Sequence, residues 1–406
     1  TRTDVADAFA DSIDVSLFHD NFDSPLGAIV DGLEEDFVIF LGPGDVPSPV
    51  LPNALGQVGE DVAAVVVDHD NIDSAGSRSN PQFKPSFSPD WLIECDYVGH
   101  GVVIRVAAIS SIDLTAVSLA TPQRDLLLRL WQAQKRVDRI QAVLLHTRPP
   151  ELSAVDRVHR DLQFAGDAVA RLGWNAIVDS QRHTVQVRHR ADSRPLVSIV
   201  IPFKDRADLL GVAVNSILRL TTYDPYEIVL VNNASSEPAT ASLLESWAQD
   251  PRIRVIDYSA EFNYSAANNL GVAHAKGDVL VLLNNDTQLL TPEWLDDLVG
   301  HAIRPDIGAV GAHLSFADGS IQHAGVVIGM RGFAAHLFSG DHPPFVRNEW
   351  INQTRNTSAV TAACIAVTRS KYEEIGGFDE TFILTGNDVD FCLRLLKRGY
   401  RNIYVP

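Results

Sequence analysis

Cysteine, methionine and lysine are scarce: the 406-residue chain holds three Cys, one Met and six Lys. Cys95, Cys364 and Cys392 cannot staple a disulfide framework, and their apolar neighbours read as buried thiols of a reducing compartment. Long apolar runs are also missing. The longest, Val62–Val67 and Val279–Leu283, are strand-sized and far too short to span a bilayer. The N-terminus, TRTDVADAFADSID, lacks a basic region ahead of an apolar stretch, so no secretory signal is legible. Its first residue is Thr rather than Met, which points to a trimmed or internal segment. Positive charge is short as well: 33 Lys and Arg face 52 Asp and Glu, a net charge of −19. A nucleic-acid partner needs a basic footprint to release counterions, so none is expected. The same sign excludes a broad electrostatic membrane anchor. Many acids with few lysines fit a salt-adapted host and a high-GC genome equally. What remains is an ordinary globular composition, 46% hydrophobic and 21% charged, with length for two or three domains.

The second half is the easier to read. Leu196–Pro202 is a continuous β-branched run stopped by Pro, the pattern of a buried parallel strand. Further strands are expected at Glu227–Val231, Ile253–Asp257 and Asp278–Leu283. Helices are expected at Arg206–Leu220, Pro238–Gln249, Ser265–Lys276 and Pro292–Ala302. Strands alternating with helices argue for an α/β fold with a mostly parallel sheet covered on both faces. The first half carries a fainter copy: strands at Phe37–Leu41, Val62–Val67 and Ile140–Leu145, a helix at Gln123–Arg136, and turns through residues 68–100. Three segments follow: a first domain over 1–150, a helical linker over 151–194 with a helix at Ala154–Leu172, and a second domain over 195–406.

Two acidic motifs carry candidate chemistry. Asn284-Asn285-Asp286 follows a buried strand directly, and ligands of open α/β sheets lie beyond the carboxyl ends of strands. A carboxylate there can hold a hard divalent cation, although an Asn-Asn-Asp turn needs no ligand to form. Asn387-Asp388-Val389-Asp390 heads an amphipathic segment. One aspartate serves as a helix cap or dipole partner; the other is free to act as a general base. Asp286 and Asp388 are 102 residues apart and meet only through folding.

Six stretches in order, PLVSIVIPFKDRADLL, YEIVLVNNASSEPAT, FNYSAANNLGVAHAKGDVLVLLNNDTQLLTPEWL, GAVGAHLSFADGSIQHAGVV, SAVTAACIAVTRSKYEEIGGFDE and NDVDFCLRLLKRGY, resemble the GT-A domain of inverting family-2 glycosyltransferases of bacterial surface polysaccharides. The resemblance covers residues 195–406. It implies a nucleotide-diphosphate sugar donor, an Mn²⁺ or Mg²⁺ ion, and a glycan or lipid-linked glycan acceptor. It also implies a cytoplasmic enzyme with peripheral contact at the inner face of the membrane. Pro202 and Asp205 would sit at the nucleotide end of the first strand. Asn232 would take the place of a base-reading Asp. Asn268, Asn269, Asn284 and Asn285 would border the donor, Asp286 would hold the metal, and Asp388 would be the catalytic base. Gly377, Phe378, Asp379 and Asn387 would lie on the acceptor side. His323 also matches a family stretch, with a core histidine as the plainer reading.

Departures matter too. The chain ends at Pro406, where family members continue into a segment that can supply a metal-binding His. Residues 1–150 resemble the later two-thirds of a second such domain, degenerate or incomplete, with Gly42-Pro43-Gly44-Asp45 at the metal position and Asp125 at the base position. Two tandem GT-A-like units, the first incomplete, are therefore expected. The rival is a non-catalytic nucleotide-sugar or glycan-binding module, favoured by the Asn residues at 232 and 284. A dinucleotide oxidoreductase requires Gly-x-Gly-x-x-Gly after the first strand, where Phe203-Lys204-Asp205-Arg206 has no glycine. A serine hydrolase elbow is equally missing.

Overall fold

The computed structural model describes residues 36–406 apart from 119, 149–152, 182 and 347. The first 35 residues of the expected N-terminal domain lie outside the described residues. The chain divides into two compact units between Ala165 and Gly166. This point falls inside the Ala154–Leu172 helix. Over the expected 151–194 linker, that helix is followed by a hairpin of Ala176–Gln181 and Thr184–His189.

In the first unit the strands are β1 (Phe37–Ile39), β2 (Val46–Pro47), β3 (Val62–Ile72), β4 (Arg78–Gln82), β5 (Val102–Arg105) and β6 (Arg136–Thr147), ordered β1-β5-β3-β6-β2 with β4 on β3. β5 runs antiparallel to both β1 and β3, whereas β3 and β6 are parallel. The turn-rich expectation for 68–100 needs correction, because β3 continues past Val67 and both β4 and a Pro89–Glu94 helix follow. Polar Asp68 and Asp70 end the apolar pattern, but pairing keeps them in the strand. Asp68 accepts the Lys84 N–H, and Asp70 accepts from Arg78 and pairs with His146.

Twelve residues or fewer make each strand of the second unit. They are β7 (Ala176–Gln181), β8 (Thr184–His189), β9 (Val197–Phe203), β10 (Tyr226–Asn232), β11 (Ile253–Asp257), β12 (Val279–Leu283) and β13 (Ile307–Ala312), then the short β14 (Leu314–Ser315), β15 (Ile321–His323), β16 (Val326–Ile328), β17 (Ala334–His336) and β18 (Arg355–Thr357), and finally β19 (Cys364–Thr368) and β20 (Arg401–Val405). The central sheet runs β11-β10-β9-β12-β19-β13-β20-β18. β9 to β12 are mutually parallel, β19 is antiparallel to its neighbours β12 and β13, and β13 pairs in parallel with β20.

Both faces of this sheet are buried, and the side-chain period of two sends successive residues to opposite layers. In β12, Val279, Val281 and Leu283 enter one core with Leu210, Val214 and Leu298, while Leu280 and Leu282 enter the other with Phe378, Phe391 and Leu395. Burying each such side chain contributes about 1.5–3 kcal/mol. The Tyr264–His274 helix lies so close to the sheet that a Cβ on Gly271 would come 2.3 Å from Val200 Cγ1, which is why glycine stands there. This helix and the Asn387–Lys397 helix share the second layer.

Candidate active site

The parallel strands β9, β10 and β12 end at one edge of the sheet. Asp205, Arg206 and Ala234 take left-handed backbone angles, φ 50°, 55° and 51°. Strain of this kind in non-glycine residues gathers at binding sites. Asp205 Oδ1 accepts the N–H groups of Ser236 and Glu237 at 2.7 and 2.9 Å, tying the end of β9 to the turn after β10. Asn232 Oδ1 accepts the Ser235 N–H at 3.0 Å, and its amide donates to Asp257 at 3.3 Å. Pro202 is buried within β9, opposite Val231.

Asn284-Asn285-Asp286 leaves β12 at this same edge. The Asn284 N–H donates to the Ala363 carbonyl at 3.0 Å. The Tyr264 hydroxyl sits 3.0 Å from both Asn284 Oδ1 and the Ala362 carbonyl oxygen. The Ala362 N–H in turn donates to Asp388 Oδ2 at 3.2 Å. A short run of polar contacts, with the one Tyr264 proton shared between two acceptors, therefore links the β12 motif to Asp388. Burial pushes the Tyr264 phenol well above its ordinary range, and the charges of Asp388 and Asp286 push the same way. Asp286 is exposed, and among the described residues no hydrogen bond or ion pair engages its carboxylate.

Asp388 stands in the first turn of its helix behind Gly386, whose φ of 81° turns the chain into the helix. Asn387 is buried and accepts the Asp388 N–H through its side-chain oxygen at 2.8 Å. Asp388 Oδ1 accepts the Val389 N–H at 2.8 Å. A carboxylate at a helix N-terminus meets unpaired N–H groups, and here they fix its direction.

Several expected site residues do other work. Asn269 has all four of its amide hydrogen-bonding sites occupied. It donates to Phe378 O and Glu380 Oε1, and accepts from the Tyr372 hydroxyl and the Phe378 N–H, at 2.6–3.0 Å. Asn268 is fully buried and donates to Tyr264 O, with its Oδ1 unpartnered. Both side chains are thus bonded to the protein's own groups, where donor contact was the expectation. Phe378 is 2% exposed and packs with Tyr372 and Phe391, so it does not face an acceptor. Asp379 is spent on the Thr381 N–H and hydroxyl. Gly377 follows the same loop. A Cβ there would strike Asn269 Oδ1 at 2.7 Å. The FNYSAANN stretch is instead a clasp. Asn263, Tyr264 and Ser265 bond to the backbone oxygens of Glu380, Ile383 and Phe382. They hold the loop that runs into Asp388.

The cleft beside Asp388 is lined by Phe333, His336, Leu384, Thr385 and Asn387, with a volume of about 310 Å³. Phe333, His336, Leu384 and Thr385 were not legible as site residues, because they lie on loops and a three-residue strand with no motif. Exposed large apolar residues on two such loops were the available signal. His323 is fully buried, so the core reading holds for it. Burial holds its imidazole well below the usual range, with His336 and Arg355 adding to the effect.

The first unit's equivalents differ. Asp45 is 2% exposed and accepts the Gly42 and Arg148 N–H groups at 2.8 and 3.0 Å, with His100 Nδ1 at 3.2 Å. Asp125 pairs with Arg129 four residues on, as Asp390 pairs with Arg394. DLLLR and DFCLR thus register Asp125 with Asp390, and Gln123 with Asp388, correcting the expected base position. The Gln123 amide donates to the Gly99 carbonyl.

The β11-β10-β9-β12-β19-β13-β20 order, with one antiparallel strand beside the fourth parallel one and carboxylates at the strand ends, defines the GT-A class of α/β fold. Residues 198–376 match the Glycosyl transferase family 2 domain. The second unit thus carries a glycosyltransferase domain of that family. Over 386 residues the chain is 40% identical to the O-antigen biosynthesis protein RfbC of Myxococcus xanthus, covering 90% of this chain and 30% of that protein. Over 214 residues it is 27% identical to the N-acetylglucosaminyl-diphospho-decaprenol L-rhamnosyltransferase of Mycobacterium tuberculosis (strain ATCC 25618 / H37Rv), covering 47% of this chain and 67% of that protein. Among solved structures, the mannosyltransferase PcManGT from Pyrobaculum calidifontis, in complex with GDP-Man and Mn²⁺, aligns with TM-score 0.41 and 20% identity over 54% of this chain and 57% of that chain. The chain spans under a third of the Myxococcus relative's length. No described helix is long and apolar enough to cross a membrane.

Proposed function

We propose that the second unit moves a sugar from a nucleotide-diphosphate sugar to an acceptor hydroxyl, with inversion at the anomeric carbon. The observation that carries this reading is the run of polar contacts from Asn284 of the β12 motif through the Tyr264 hydroxyl and Ala362 to Asp388. One carboxylate is open at the strand edge and the other is fixed at a helix start. Asp388 takes the acceptor proton as that oxygen bonds to the anomeric carbon. The bond from that carbon to the diphosphate breaks, and its electron pair leaves with the nucleoside diphosphate. A single displacement of this kind inverts the centre.

Asp286 has the donor chemistry for a hard divalent ion: an exposed, unengaged carboxylate beside the amide of Asn285. Mg²⁺ or Mn²⁺ held there would supply neutralisation of the charge on the leaving diphosphate. Asn232 keeps one lone pair on Oδ1 for a base N–H, and Asp205 holds that turn in shape. The acceptor is a growing surface glycan, lipid-linked and met at the inner face of the membrane. The names of the Myxococcus and mycobacterial relatives favour this choice.

The first unit is read as a degenerate copy. Its β1-β5-β3-β6 run repeats the order and directions of β12-β19-β13-β20. Its strand-end acid is sealed and its base position is Gln123. A thermal-shift panel of UDP-, GDP- and dTDP-sugars, with and without Mn²⁺, tests donor binding, since a ligand of the folded state raises its stability. Asp388→Asn should lower transfer by about 10²–10⁴-fold and keep the nucleotide shift. Full turnover in that variant removes the assignment.

A further inference from the structure

Beside Asp388 lies a polar atom that the reaction as described does not use. His336 closes β17 and lines the Asp388 cleft. Its Nδ1 is committed inward, 3.0 Å from the Gln322 carbonyl oxygen and 3.1 Å from Nδ1 of buried His323. Those two contacts fix the ring. Nε2 has no partner among the described residues, and it is not among the buried polar atoms. It is therefore the imidazole's open hydrogen-bonding site. Because the Gln322 carbonyl oxygen can only accept, Nδ1 carries the proton in that contact, and the lone pair of a singly protonated ring is left at Nε2 for a hydroxyl donor.

The rest of the lining is divided. Phe333 and Leu384 form an apolar side, 62% and 64% exposed although large. Thr385, His336 and Asp388 form a polar side. Apolar side chains left open at a cleft mouth mark a ligand surface that will cover them. A pyranose ring has this divided chemistry, with C–H faces that pack on an aromatic ring and hydroxyls around its edge.

We propose that His336 is a positioning and specificity residue that hydrogen-bonds, through Nε2, a hydroxyl of a hexopyranose acceptor adjacent to the hydroxyl attacked through Asp388, while Phe333 and Leu384 pack on the ring's C–H face. This rests on the transferase reading above and specifies its acceptor as a sugar ring. An amino-acid hydroxyl or a lipid alcohol carries no adjacent hydroxyl for His336 to read.

The test uses the full chain, the nucleotide sugar giving the largest thermal shift, and p-nitrophenyl hexopyranosides with their monodeoxy analogues as acceptor probes. His336→Ala should raise acceptor KM about tenfold, the worth of one hydrogen bond, with kcat moving much less and donor KM retained. His336→Gln, which keeps a hydrogen-bonding head, should recover most of that loss. It also serves if the Ala variant folds poorly. Removing the adjacent hydroxyl should cost wild type about tenfold and His336→Ala nothing further. An unchanged acceptor KM in His336→Ala overturns the assignment. So does an equal deoxy penalty in both proteins, or failure of an enzyme that hydrolyses its donor to use any hexopyranoside. Donor that is neither hydrolysed nor transferred by wild type overturns the transferase reading instead.

Discussion

Asp45 and Asp286 each follow the first strand of a four-strand run built in the same order, and their surroundings are opposite. Asp286 is exposed and unengaged, whereas Asp45 is sealed by two backbone N–H groups and His100. A helix follows in both units with the same i,i+4 Asp–Arg pair. Ahead of that pair the second unit has Asp388, and the first has Gln123 donating to a carbonyl. Carboxylates at matching places thus do different jobs. One satisfies the fold's own donors, and the other leaves its lone pairs for a ligand. Between these two strand-end acids, hydrogen-bond occupancy rather than residue type makes the difference.

The sharpest way to break the comparison is to exchange the roles. Asp388→Asn should lower transfer by about 10²–10⁴-fold, the range of general-base catalysis. Gln123→Ala in the first unit should leave turnover unchanged, as measured by release of the nucleoside diphosphate. Equal losses in the two variants would mean that both units take part in catalysis.

Next in size is Asp286→Ala. It should remove the Mn²⁺-dependent part of the nucleotide thermal shift and reduce turnover by about 10²-fold or more, since the diphosphate charge loses its counter-ion. Asp45→Asn should leave that shift intact.

Asn269→Ala tests the clasp. It strands the Tyr372 hydroxyl and two groups of the 376–380 loop, so a stability loss of about 1–3 kcal/mol is expected in denaturant titration. Turnover should fall with donor affinity retained, because the loop leads to Asp388 without touching the donor.

The smallest effect is a pH difference. Burial alone would raise Asp45, but the His100 hydrogen bond and the Gly42 and Arg148 N–H groups outweigh it and hold the carboxyl below its usual range. A depressed folded value means that the unfolded chain binds the proton more tightly. This contribution is thus complete above about pH 4 and is lost as pH falls through the folded value. Asp45→Asn should flatten the acid limb of the first unit's unfolding, followed by hydrogen exchange of β3 and β6. An unaltered limb would place the acid sensitivity elsewhere.

Much of the second unit could be read from residue order. Ile199, Val200, Leu280 and Leu282 lie in unbroken apolar runs because both faces of their sheet are covered. Asn-rich turns and Gly377 punctuate those runs as local backbone chemistry requires. The reading failed where one residue type serves two purposes. Asn269 sits in a motif that looks like a ligand contact, yet its amide is consumed by a clasped loop, and neighbouring Asn268 is buried and donates back to its own helix. Phe378 looked like a groove wall and is core. In the first unit β3 was cut short at Val67, since Asp68 and Asp70 break the pattern and only their distant partners Lys84, Arg78 and His146 keep them in register.

Periodicity and turn chemistry act over a few neighbouring residues, so strands, helices, their alternation and the two acidic motifs were written into the chain's order. Whether a given oxygen or amide is left over for a guest depends on partners a hundred residues away. Only the folded arrangement could therefore expose Asp286, seal Asp45 and bring Phe333 and His336 to the cleft of Asp388.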